Sequence, residues 1–159
     1  MDYLIRTATP ADASAISRTI IHTLRESNSL DYSSDIIDQV EQSFSPRAVL
    51  DLLARRQVFV TTLDGHIVAT ASLDHDVVRS VFVDPRHQGL AVGRHLMEQL
   101  QTVALSAGID LLRVPSSITA EGFYAALGFK KVRDEYHQAE RTIIMAKALG
   151  REQIHPVSS

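Results

Sequence analysis

Two hydrophobic rhythms alternate along the chain, and the places where one gives way to the other mark its elements. Tyr3 to Ala8 reads as a first strand, and Thr9-Pro10-Ala11-Asp12 then starts a helix with Thr9 as N-cap, Pro10 at the first helical position and an acid in the first turn. Ala13, Ile16, Ile20 and Leu24 recur at helical spacing and give that helix its buried face. The polar stretch Ser27 to Ser34 predicts a loop. A second helix is expected from about Asp35 to Phe44, with Ile36, Val40 and Phe44 on one side, and a third, capped by Ser45-Pro46, with Val49, Leu52 and Leu53 inward.

At Gln57 the period shortens. Val58 to Leu63 and His66 to Leu73 are strand-like runs, and Asp64-Gly65 between them is a strong hairpin signal. Asp74-His75-Asp76 turns the chain into a strand from Val77 to Val83, whose Val81-Phe82-Val83 end reads as buried and which Pro85 stops. Leu96, Leu100, Val103 and Ala107 then predict a long helix closed by Gly108. Leu111 to Val114 reads as a buried strand terminated by Pro115, and Thr119 to Leu127 as a short helix closed by Gly128. Lys131 to Arg133 and Arg141 to Ala146 read as the last two strands. This order, β-ααα-βββ-α-β-α-ββ, predicts an α/β fold: a mixed sheet with helices on both faces, its hairpins antiparallel and its two helical crossovers joining parallel neighbours.

Composition narrows the function. At 159 residues and 45% hydrophobic content the chain is long enough for one well-buried domain, expected over residues 1–149, with a mobile polar tail over 150–159. A net charge of −3 weighs against a nucleic-acid partner, and the lack of cysteine removes disulfides, thiolate metal ligands and a cysteine nucleophile together. No apolar run is long enough to span a bilayer and the first residues show no signal pattern, so a cytoplasmic location without membrane association is expected. The histidines at 22, 66, 75, 87, 95, 137 and 155 lack metal-ligand spacing, and no metal is expected.

The stretch from Val81 to Leu96 is where chemistry is expected. A strand that breaks at a proline, crosses a glycine-bearing loop and enters a helix leaves first-turn N–H groups without intrahelical partners, at the positive end of the helix dipole. Gly89 and Gly93 have no Cβ to hold a bulky anion away, and Arg86 and Arg94 flank them. A diphosphate fits these features; so, on spacing alone, does an ordinary strand-to-helix connection.

Gln88-Gly89-Leu90-Ala91-Val92-Gly93 resembles motif A of the GNAT N-acetyltransferases, Q/R-x-x-G-x-G/A. Ala91 stands where glycine is usual, and its methyl group is tolerable there if the backbone is helical rather than at positive φ. A second segment, Ser117 to Phe129, resembles motif B, N-x-x-A-x-x-F-Y-x-x-L-G-F, at Ala120, Phe123, Tyr124, Leu127, Gly128 and Phe129, with Ser117 in place of asparagine. The element order is also that of the GNAT fold, in which the central strands splay after motif A. The resemblance implies acetyl-CoA as cofactor, its diphosphate on Gln88, Gly89, Leu90, Ala91, Val92, Gly93 and Arg94. Its pantetheine arm would lie along the strand bearing Val81, Phe82 and Val83, with Ser117 and Tyr124 as further contacts.

Ala120, Phe123 and Leu127 are expected to face the core, which turns Tyr124 about 100° away, its hydroxyl toward a cleft. The resemblance gives Tyr124 the role of proton donor to the departing thiolate. An alkylamine acceptor of pKa about 10.4 is neutral only about once in several thousand molecules at pH 7, so a base or a water relay is also expected. Family members often carry a Glu on the strand entering motif A; here Arg79 is the only charged residue between Val77 and Val83. Glu26, Asp74, His75 and Asp76 are the nearest substitutes, Glu26 and Asp76 being the residues nominated, and Arg79 is read either as holding a carboxylate on the acceptor or as a cross-strand charge pair. His22 belongs to the helix that borders the acceptor cleft in this fold.

The function implied is acetyl transfer from the CoA thioester to a primary amine by direct attack in a ternary complex, the acceptor being a small molecule or a peptide. A catalytically inactive acyl-CoA-binding or sensing domain is the alternative. Homodimers are common in the family, and nothing in the sequence demands one.

Overall fold

A computed structural model of the chain describes residues 2–28, 33–89, 91–137 and 140–150. The elements follow the expected order: β1 (Tyr3–Thr7), α1 (Ala13–Thr23), α2 (Ser34–Gln42), α3 (Pro46–Arg55), β2 (Gln57–Leu63), β3 (His66–Asp74), β4 (Val77–Val83), α4 (Val92–Ser106), β5 (Leu111–Ser116), α5 (Glu121–Ala126), β6 (Lys130–His137) and β7 (Glu140–Ala148). Short 3-10 turns at Pro10–Asp12 and Pro85–His87 precede α1 and α4. The sheet has seven strands in the order β1-β2-β3-β4-β5-β7-β6. The described chain divides into two compact units, one comprising the chain up to Ser72 together with Ser80–Met97, the other Leu73–Arg79 together with the chain from Glu98 onward. The tail expected after Gly150, and Leu90, lie outside the described residues, as do residues 29–32 of the expected loop.

In the first unit β1 pairs antiparallel with β2, from Tyr3 opposite Leu63 to Thr7 opposite Phe59. The β2–β3 hairpin turns on Asp64 (φ 52°) and Gly65 (φ 81°), the two positive values that a two-residue I′ turn requires and that Asp-Gly supplies. Thr9 N donates to Asp12 Oδ2 at 2.8 Å, closing the N-terminal turn as read from the sequence. Ser45 Oγ accepts from Ala48 N at 3.2 Å and caps α3. Ala13, Ile16, Ile20 and Leu24 pack with Val49, Val58 and Val60 as one buried cluster. The loop expected from Ser27 begins later, because the chain stays helical through a π turn at Leu24–Asn28, anchored by buried Leu24.

In the second unit β5 pairs antiparallel with β7 along its whole length, and β7 with β6. β4 pairs parallel with β5 at one position, Val77 opposite Arg113. The expectation that both helical crossovers join neighbours is therefore corrected: β6 runs parallel to β5, but β7 lies between them. Pro115 does not end β5, which continues to Ser116 with Pro115 opposite Ile144. Beyond Arg113 the pairing of β5 is with β7, so this segment behaves as an edge, where proline's missing N–H is tolerated. Nor is β5 buried on both faces. Leu112, Val114 and Ser116 are inside while Leu111 and Arg113 are exposed, the alternation of a strand covered on one side.

α4 buries Leu96, Met97, Leu100 and Ala104 completely, and Ala107, expected on the inner stripe, is exposed past the helix end. Gly108 (φ 85°) closes α4, and Ile109 N donates to Ala104 O at 3.0 Å. Among the described residues no helix is long and apolar enough to cross a membrane.

Candidate functional site

The β4–α4 turn is built to present backbone. Asp84 N donates to Val68 O at 2.8 Å, which fixes the end of β4, and Asp84 Oδ1 accepts from Arg86 N at 2.9 Å, which caps the 3-10 turn that follows. Arg86 Nη2 lies 3.2 Å from Asp84 Oδ2. Burial pushes the Asp84 carboxyl up, but the side-chain and backbone hydrogen bonds from Arg86, together with its charge, outweigh it and hold the group below the usual carboxylate value. Gln88 Nε2 donates to Val83 O at 2.9 Å, so the side chain of the first motif residue folds back onto the strand end.

Gly89 (φ 79°) then turns the chain through a conformation costly to other residues, with open space where a Cβ would sit. Ala91 does the same at φ 65°, which corrects the expectation of a helical backbone there: the residue takes the left-handed conformation that family glycines take without strain, at a cost of about 1–2 kcal/mol. Gly93 is buried and Arg94 exposed in the first turn of α4, where His95 N to Ala91 O (3.0 Å) is an early helical bond. Among the described residues, the N–H groups of Gly89, Ala91, Val92 and Gly93 have no backbone carbonyl partner outside the helix. Four amides at the start of a fifteen-residue helix, beside an exposed arginine, are an anion receptor.

Upstream, β4 is less buried than its sequence suggested. Val81, Phe82 and Val83 are half-exposed, with Phe82 packed edge-to-face on Phe44 (5.5 Å between centroids). Ser80 interrupts the strand at φ 56°, and Arg56 Nη1 reaches its hydroxyl at 3.2 Å. Glu26 sits exposed on the π turn. Arg6, Arg18, His22, His66 and His87 line a cavity of about 760 Å³ between α1, the β2–β3 turn and the 3-10 turn before the loop, which places His22 at a cavity wall.

In the second unit Tyr124 is the most enclosed residue of α5, 5% exposed, its ring held edge-on by Phe123 (5.1 Å) and Phe129 (5.8 Å). The expected assignment of faces is thus reversed: Tyr124 occupies the core position, while Ala120, Phe123 and Leu127 are half-buried. The short helix rolls because Phe129, just beyond Gly128 (φ 98°), returns to pack on it, with Phe129 N donating to Tyr124 O at 3.1 Å. Burial pushes the phenol well above its ordinary pKa of 10.0, so the group is fully protonated at neutral pH. Ser117 Oγ accepts from Ala120 N at 3.1 Å and organises the turn into α5.

The candidate base Asp76 is occupied, both its oxygens bonded to Arg113 Nη2 at 2.9 and 3.1 Å. Arg79 faces Asp74 at 3.4 Å, the charge pair that was one of its two readings. Not foreseen was a second cavity of about 450 Å³, lined by Arg79, Arg113, Arg133, Glu135 and His137 over Val114, Pro115 and Ile144. The alternation Arg133-x-Glu135-x-His137 was the available signal, obscured by an extra residue at Val132 where β6 bulges. Among the described residues no group of three metal-ligating side chains is gathered.

Comparison with known proteins agrees with this anatomy. Residues 28–148 match the family model described as an acetyltransferase (GNAT) domain. Similar solved structures include a GCN5-related N-acetyltransferase from Rhodopseudomonas palustris (22% identity, TM-score 0.86, 94% of this chain and 97% of that one). The PaiA N-acetyltransferase from Thermoplasma acidophilum, in complex with coenzyme A, matches at 17% identity and TM-score 0.83 over 93% and 99% of the two chains. The yncA acetyltransferase from Salmonella typhimurium, with acetyl-CoA, matches at 20% identity and TM-score 0.64 over 94% and 95%. At such identities the likeness is one of fold. No curated protein matches the sequence.

Proposed function

Since the chain belongs to the GNAT acetyltransferase family, we propose that it transfers an acetyl group from acetyl-CoA to a primary amine, by direct attack of the amine in a ternary complex. The carrying observation is the β4–α4 turn, where positive φ at Gly89 and Ala91 leaves a row of amides without backbone carbonyls at a helix start. The cofactor is supported by the family and by relatives described with coenzyme A or acetyl-CoA. In this reading Gly89, Ala91, Val92 and Gly93 donate to the diphosphate through their backbone, and Arg94 adds charge. Gln88 acts through its bond to Val83 O, holding the turn's entry. Val81, Phe82 and Val83 offer strand backbone to the pantetheine arm.

When the amine nitrogen attacks, a C–N bond forms, the C–S bond breaks and the thiolate carries away the electron pair. The family motif nominates Tyr124 to meet that charge. Because burial strengthens its hold on its proton, a hydrogen bond to the developing thiolate suits it better than outright transfer. For the amine proton, exposed Glu26 is the nominated carboxylate with no bonded partner among the described residues, or it relays through water.

A second reading, an acyl-CoA sensor without turnover, is favoured by one observation: the other nominated base, Asp76, is tied to Arg113. Thiol release on mixing the protein with acetyl-CoA and an amine panel tests both. Release dependent on an amine supports transfer; stabilisation by CoA without release on any amine supports the sensor.

A further inference from the structure

We propose that the amine accepted by this enzyme also carries a carboxylate, held by Arg79 and Arg113 in the 450 Å³ cavity of the second unit. The inference rests on the transfer reading for its substrate and on the cavity alone for its anion. The volume lies within the usual range of small-molecule sites, about 300–1,000 Å³.

Its charge is what selects a ligand. Three guanidinium groups line the cavity against one carboxylate, Glu135, and that carboxylate is engaged by Arg133 through both Nε and Nη2. Arg133 and Glu135 therefore offset each other inside the cavity. Arg79 and Arg113 are paired differently, since their partners Asp74 and Asp76 are not part of the lining. The acids fix the two side chains in place while the guanidinium groups face the cavity.

Arg113 is secured through Nη2 alone, and its main-chain N–H donates to Asp76 O at 2.9 Å, so backbone and side chain are anchored to the same residue. Among the described residues its Nη1 and Nε donors have no partner. A guanidinium with its position fixed and donors to spare is suited to a carboxylate, which it can engage through two parallel hydrogen bonds. Val77, Val114, Pro115 and Ile144 supply apolar lining for the carbon skeleton of the same molecule. A polyamine or other purely cationic acceptor would meet two like charges here.

The test compares amines that differ only in the anion. Leucine, phenylalanine and 4-aminobutyrate, each beside its carboxamide and its decarboxylated amine, are assayed by thiol release and, separately, titrated into the CoA-loaded protein by calorimetry. The carboxylates are expected to exceed their neutral counterparts about tenfold or more in kcat/KM and in affinity. Arg113→Gln should collapse that ratio through KM, and Arg113→Lys should restore part of it; melting curves of both variants show that they fold. Equal use of the neutral amines, or loss of activity on all acceptors alike in Arg113→Gln, overturns the inference. So does preference for O-phosphoethanolamine over every carboxylate. Carboxylate binding that Arg113→Gln abolishes, without thiol release on any amine, leaves the anion site standing and sinks the transfer reading instead. No carboxylate binding at all sinks the anion site.

Discussion

The β4–α4 turn and the arginine-lined face of β5, β7 and β6 both offer positive potential, by opposite means. The turn uses main-chain N–H groups that the fold leaves over, and its side chains are occupied elsewhere: Arg86 with Asp84, Gln88 with Val83 O. The face uses guanidinium groups whose positions are set by carboxylates outside the cavity. A receptor made of backbone is indifferent to most substitutions and depends on conformation. One made of side chains depends on residue identity, and tolerates backbone irregularity such as the bulge at Val132.

The contrast is broken most severely at Gly89. Gly89→Glu places a side chain at φ 79° and a like charge beside the amides, and CoA affinity is expected to fall about a hundredfold by calorimetry; unchanged affinity would show that the turn does not hold the diphosphate. Next comes Tyr124→Phe, which removes one hydroxyl from a ring that otherwise keeps its packing. Turnover should drop about tenfold to a hundredfold with CoA affinity within about twofold, and a fully active variant would strike Tyr124 from the chemistry.

Asp84 tests the charge that supports the turn. Its folded pKa is depressed, so its contribution is present above the ordinary carboxylate value and is lost as pH falls through the lower folded value. Asp84→Asn should cost about 1 kcal/mol at pH 7, and melting curves taken below about pH 4 should show the gap to the parent closing. Ala91→Gly works in the other direction, relieving the positive φ and raising stability by about 0.5–1 kcal/mol, which thermal melts at pH 7 would detect. Smallest is the effect of Asp76→Asn: a carboxylate already bonded through both oxygens is a poor base, so turnover should change less than about threefold. A collapse in turnover would restore Asp76 as the base.

What could be read from sequence follows the same division. Every element was legible in order, because each rests on local signals: Thr9 and Asp12 at a helix start, Asp64-Gly65 at a hairpin, Gly108 and Gly128 after helices. Motif A was legible for the same reason, its chemistry lying in backbone shaped by Gly89. Failures came where the decision was tertiary. Tyr124 and Phe123 differ by one helical step, and the choice between them was made by Phe129 folding back on the short helix. Pro115 looked like a strand end because nothing local says that β5 pairs with β7 alone beyond Arg113. The cavity arginines were hidden because Asp76 lies 37 residues before Arg113, a separation no pattern along the chain brings together.

One contact made by β1 has a chemical corollary. The Tyr3 hydroxyl lies 2.9 Å from His87 Nδ1, with the two rings edge to face. A phenol can donate to that nitrogen only while the imidazole carries its single proton on Nε2; an imidazolium would force the phenol to turn and accept. Tautomer choice in the short turn that leads into the anion loop is therefore coupled to a hydroxyl rotor 84 residues upstream.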